Sequence, residues 1–127
     1  MRFVLIGLPI LAAVGFASLY FVASSAVYYP LRYPAGFWNQ QAAAGATEVW
    51  ITSRDGVRLN GWWIPAPNAR VATVFLHGNG GNLTHRIPHM LAIAAAGSSL
   101  LIPDYRGYGK SGGAPSESGL YADAGQL

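Results

Sequence analysis

The 127-residue chain is 52% hydrophobic and only 10% charged, so a water-facing domain can occupy only part of it. Its net charge of +3 does not describe a nucleic-acid binder: Arg2 and Arg32 flank an uncharged run from Phe3 to Leu31, which leaves six basic residues facing five acidic ones. Cysteine is absent, which excludes disulfides, thiol nucleophiles and Cys-ligated metal sites and leaves the redox compartment open.

The first segment, Phe3 to Ala23, carries no charge and as a helix would span roughly 30 Å, the thickness of a bilayer's hydrocarbon core. Gly7, Pro9 and Gly15 are common in membrane helices, and Tyr20, Tyr28 and Tyr29 suit the far interface. The competing reading is a cleaved signal peptide, with Arg2 as its basic start and Ala23, Ser24, Ser25 and Ala26 at the cleavage position. The apolar stretch exceeds the roughly 7–15 residues of a signal peptide, which favours an uncleaved anchor. We therefore expect residues 1–29 to form one transmembrane helix, with the amino terminus in the cytoplasm and the remaining domain outside; secretion after cleavage is the alternative.

Residues 30–46 contain prolines, glycines and no clear period, and read as a linker beside the membrane. Alternating residues at 47–53 and 57–64 around Asp55-Gly56 predict a β-hairpin. The run Val71 to Leu76 is continuously apolar and β-branched, as in a strand covered on both faces. A glycine-rich loop, His77-Gly78-Asn79-Gly80-Gly81-Asn82, then leads to a helix reaching about Ala96 and stopped by Gly97. Leu100 to Ile102 predict a further buried strand, and strand, loop, helix, strand implies a parallel crossover with functional loops at the strands' carboxyl ends.

A glycine-rich turn between a buried strand and a helix exposes backbone N–H groups to an anion, either phosphate or a transient oxyanion. The dinucleotide fingerprint would need glycine where Leu83 stands, and no Walker lysine or acidic ribose partner is placed for a nucleotide. Together with Asp104-Tyr105-Arg106-Gly107-Tyr108-Gly109-Lys110-Ser111 after the next strand, the His77 loop resembles the α/β-hydrolase family. Within that family it is similar to membrane-anchored serine hydrolases related to lysophospholipases, acyl-protein thioesterases and serine aminopeptidases. The paired motifs are more specific than either alone.

The resemblance implies an α/β fold over residues 47–127: the amino-terminal part of a hydrolase sheet, an antiparallel hairpin followed by parallel strands with a crossover helix. It also implies that Asn79 donates its backbone N–H to a tetrahedral oxyanion, with His77, Gly78 and Gly80 forming the rest of the oxyanion loop. His77 is expected to orient that loop by hydrogen bonding. The nucleophile, acid and base are absent from the resemblance as it falls on this chain, so a complete protein would hydrolyse ester, thioester or amide bonds through an acyl-serine, and this piece alone would be inactive. No cofactor is implied. The partners implied are the membrane and a small acyl, lipid or peptide substrate. The rival reading is a non-catalytic membrane-tethered remnant, or an anion- or partner-binding module.

Several residues could mislead. Gly109-Lys110-Ser111-Gly112-Gly113 spells the nucleophile elbow G-x-S-x-G, but the strand ends near Pro103 and proline follows, so Ser111 reads as part of a mobile loop. His85 and His89 are four apart, yet Pro88 intervenes and no glutamate base is near, so they read as surface or cap residues and no metal site is expected. Asp104 reads as a loop brace paired with Arg106 or backbone N–H groups. Tyr121 to Leu127 reads as the opening of a helix cut off early, which favours a fragment. In the family's sheet order, the strand at Val71 to Leu76 would then become an exposed edge.

Overall fold

The computed structural model describes residues 2–127, and the side chains of all of these except 2–8 and 23–25. Arg2 and three of the residues at the considered cleavage position, Ala23, Ser24 and Ser25, therefore lie outside the described side chains. Helix α1 spans Arg2–Ser25 and includes Pro9. Among the described residues no helix is long and apolar enough to cross a membrane; in α1 the described side chains cover 9–22.

The predicted hairpin is present as β2 (Thr47–Thr52) and β3 (Arg58–Ile64), antiparallel, with Thr52 opposite Arg58 and Thr47 opposite Trp63. The turn between them uses Gly56 at φ +84°, where glycine carries no steric penalty. Strand β4 is Ala72–Val74, shorter than the apolar run, and β6 is Ser99–Pro103. They pair in parallel, and the sheet order is β2-β3-β6-β4. The intervening helix begins as a 3₁₀ turn, Leu83–Arg86, and continues as α2, Ile87–Ala95, with Pro88 in its first turn, where its missing N–H costs nothing. Gly97, at φ +86°, ends it.

The core lies where α2 covers this sheet. Trp62, Leu100, Ile102, Leu83 and Met90 are fully buried and pack with Ile64, Ile87 and Ala44, and Trp38 seals the cluster at one side. Burying such side chains stabilises by about 1.5–3 kcal/mol each, before the entropy of ordering them is subtracted. The expectation that the Val71 to Leu76 strand is covered on both faces is not met: β4 ends the sheet, and Val71 is 63% exposed with Val74 and Leu76 also open.

Two segments differ from the sequence expectation in kind. Helix α1 ends at Ser25, short of the expected boundary at 29, and the first part of the expected 30–46 linker is not a plain linker: residues 27–37 are bonded to both glycine loops. They form a strap whose β1, Tyr29–Pro30, pairs in parallel with β5, Gly80–Gly81, inside the first glycine loop. The strap then reaches the second loop, where Tyr33 N–H donates to Gly109 O at 2.8 Å and Gly109 N–H to Leu31 O at 3.1 Å. An aperiodic, proline-containing sequence gives no sign of this, because its ordering partners lie far along the chain. The final helix also starts earlier than expected: α3 is Glu117–Ala124, with the Ser116 hydroxyl accepting from Gly119 N–H as an N-cap.

Candidate oxyanion site

The two glycine loops lie against each other, and the second holds the first by its carbonyl oxygens. Tyr105 hydroxyl donates to His77 O at 2.8 Å, and Tyr108 hydroxyl to Asn79 O at 2.7 Å. The carbonyl between them, Gly78 O, lies 2.7 Å from the Nδ1 of His77. Three successive carbonyls are thus engaged. The N–H groups of Gly78 and Asn79 donate to no protein acceptor among the described residues, and both residues are exposed. A trans peptide directs N–H opposite to C=O, so tying Gly78 O inward turns the Asn79 N–H outward. Neighbouring N–H groups without a protein acceptor are available to an anion.

His77 is buried and sits between two acceptor-type partners. Because Gly78 O can only accept, Nδ1 carries the hydrogen in that contact, and Nε2 faces Asp104 Oδ1 at 3.1 Å. One proton must therefore lie between imidazole and carboxyl, whichever of the two holds it. Burial pushes the Asp104 carboxyl above the usual carboxylate range, and the His77 hydrogen bond and charge and the Leu83 N–H pull it back. The Leu83 N–H donates to the same Oδ1 at 2.7 Å. Asp104 is a loop brace as expected, and of the two partners considered it takes a backbone N–H, that of Leu83, and not Arg106; His77 is the partner that was not expected.

Arg106 is spent elsewhere. Its guanidinium bonds Asp123 Oδ1 at 2.6 Å and Asp55 Oδ2 at 2.7 Å, so it ties the second loop to α3 and to the hairpin turn. Those two hydrogen-bonded carboxylates raise its pKa still further. Ser111 is likewise engaged: its hydroxyl donates to Asp104 O and accepts from Asn60 N–H, both at 2.8 Å, and only 3% of the residue is exposed. A buried hydroxyl with both roles filled by backbone is a brace. The loop is not a mobile one, since Gly107, Gly109, Ser111 and Gly112 all donate backbone bonds.

The remaining candidates fall apart as a cluster. His85 Nδ1 accepts from Asn82 N–H at 3.3 Å and completes a capping box with the Asn82 side chain. His89 is exposed and stacks on Phe75. Asn82, fully buried, has a role that its place at the end of the loop did not announce: it donates to Leu31 O at 3.0 Å and Ala35 O at 2.9 Å, and so anchors the strap to the start of the helix. Gly80 lies beside Asn79 in β5, opposite Tyr29.

No family model matches the chain. It is 38% identical over 107 residues to an uncharacterised protein, YfhR, of Salmonella typhi, a match covering 80% of this chain and 35% of the relative. It is 39% identical over 80 residues to the α/β hydrolase domain-containing protein WAV2 of Arabidopsis thaliana, covering 61% of this chain and 26% of that protein. An esterase of Pyrococcus furiosus superposes with a TM-score of 0.63 at 26% identity, over 79% of this chain and 39% of the esterase. Homologues and structure neighbours together support the α/β-hydrolase superfamily. The fold is α/β-hydrolase-like, with parallel and antiparallel strands. The chain spans about a third of the length of the curated relatives it matches.

Proposed function

We propose that this chain supplies the oxyanion loop of a serine hydrolase that cleaves ester, thioester or amide bonds through an acyl-serine, with Asn79 N–H as one donor. The observation that carries this is the pair of N–H groups without a protein acceptor among the described residues, on the exposed residues Gly78 and Asn79 of a loop whose His77, Gly78 and Asn79 carbonyls are all bonded. Donors fixed in advance stabilise developing negative charge without reorganising, and in acyl transfer this stabilisation commonly outweighs any other single source of rate enhancement. The nucleophile, base and acid would lie outside these residues, because Ser111, His77 and Asp104 are committed to one another's loops. In the full-length protein, a fluorophosphonate probe should label one serine other than Ser111. Asn79→Pro, which deletes the N–H, should lower the rate on a short chromogenic ester by about 10²–10³. Failure of wild-type protein to react with either reagent would favour the non-catalytic, anion-binding alternative.

We also propose that α1 anchors the protein as a single pass, with the amino terminus in the cytoplasm and the hydrolase domain outside. Supporting this are the uncharged run from Phe3 to Ala23 and, within the described part of α1, the outward apolar side chains of Ile10, Leu11, Val14, Phe16, Leu19 and Phe21, all exposed by more than half. A lipid or lipidated acyl substrate fits such a placement. Resistance of the protein to carbonate extraction, with a carboxyl-terminal tag open to external protease in intact cells, is the expected result. Release of a shortened soluble form would instead support signal cleavage.

A further inference from the structure

Building on the reading of Asn79 as an oxyanion donor, we propose that Tyr108 is a positioning residue for that donor and acts jointly with the strap leaving α1. The loop cannot aim its own peptide, because Gly78, Gly80 and Gly81 surround Asn79 and glycine restricts the backbone least. The stiffness has to come from outside. Asn79 O is held from two elements at once, by the Tyr108 hydroxyl at 2.7 Å and by the Tyr29 N–H of the strap at 3.0 Å. The Asn79 side chain in turn donates to Val27 O at 2.7 Å, just beyond the end of α1.

The geometry separates this role from general bracing. The Asn79 N–H lies in the peptide whose carbonyl is Gly78 O, held by His77, while Asn79 O lies in the following peptide, held by Tyr108 and Tyr29. Fixing both planes fixes φ and ψ of Asn79, and releasing either lets the N–H swing. Tyr108 is 1% exposed, its ring packs edge-on against His77 and Tyr105, and burial raises the pKa of its hydroxyl, which therefore stays a donor at neutral pH. Replacing it by phenylalanine keeps the packing and removes only the hydroxyl.

The test uses the full-length protein and two variants. Tyr108→Phe removes one hold on Asn79 O, and Tyr29→Pro removes the strap's N–H while sacrificing little packing, since the Tyr29 ring is exposed. With p-nitrophenyl butyrate, each is expected to lower kcat by about tenfold while KM stays within about twofold, the pattern of an interaction made in the transition state. The amide order parameter of Asn79 should fall from about 0.85 to below about 0.6 in each. Unchanged kcat, or a parallel change of kcat, KM and melting temperature with the Asn79 amide still rigid, overturns the proposal. If wild-type protein hydrolyses no ester, the oxyanion reading falls separately, and the order parameter alone decides the clamp: a loss in both variants supports it and no change overturns it.

Discussion

Gly109 shows how little room a single residue can have in the second loop. Its φ is +47°, and an added Cβ would collide with Asp104 Oδ2 and come within 2.9 Å of the Trp38 ring. Asp104 cannot yield, because its other oxygen is held by His77 and Leu83. Gly109→Ala should therefore destabilise by roughly 2–3 kcal/mol, read as a lower urea midpoint at unchanged slope. The same pocket explains why the G-x-S-x-G spelling misleads. At the level of letters, Gly109 and Ser111 fit a nucleophile elbow, whereas in the fold the first makes way for a buried carboxyl and the second bonds the backbone on both sides. The proposed role of Asn79 rests on the paired motifs together with its N–H, which has no protein acceptor among the described residues. The tyrosine hydroxyls that hold its loop carried no spacing signal at all.

Between elements, Arg106 is the main polar connector. It joins α3 through Asp123 and the β2–β3 turn through Asp55, with Asp123 almost fully buried. A planar fork suits two carboxylates in a way an ammonium does not. Arg106→Lys should cost about 2 kcal/mol and free α3 first, which limited proteolysis near residues 116–125 would detect before global unfolding. A second tie joins Glu48 on β2 to Lys110, at 2.6 Å, with the ammonium also over the Tyr33 and Trp38 rings. The Lys110 hydrogen bond holds the Glu48 carboxyl below the usual range. A lowered carboxyl adds stability above its unfolded pKa and loses it as pH falls through the folded one. Wild-type protein should thus lose more melting temperature between about pH 5 and about pH 3 than Glu48→Gln, the opposite ordering being the result that refutes the tie.

For the molecule as a whole, the open side of β4 dominates. Val71, Val74 and Leu76 are exposed apolar side chains on or beside a strand that, among the described residues, is paired on one side only, the arrangement most prone to pair with another chain. Residues 33–127 expressed alone should be insoluble or partly unfolded, and they would also lack Tyr29 and Leu31, which bond both glycine loops through the strap. A monomer by light scattering with a sharp, reversible melt would contradict this.

What the sequence determined by itself was whatever depends on neighbours along the chain. The hairpin around Asp55-Gly56, the α2 segment with its glycine stop and the glycine loop between strand and helix all follow from local period and turn chemistry. Only the tertiary structure decided that 27–37 is a strap, that Asp104 faces His77 rather than Arg106, and that Asp123 belongs to Arg106. Those contacts join residues 17 to 80 or so positions apart. Polar partners across such distances are chosen by which groups the packed core brings within bonding range, a choice no local pattern records.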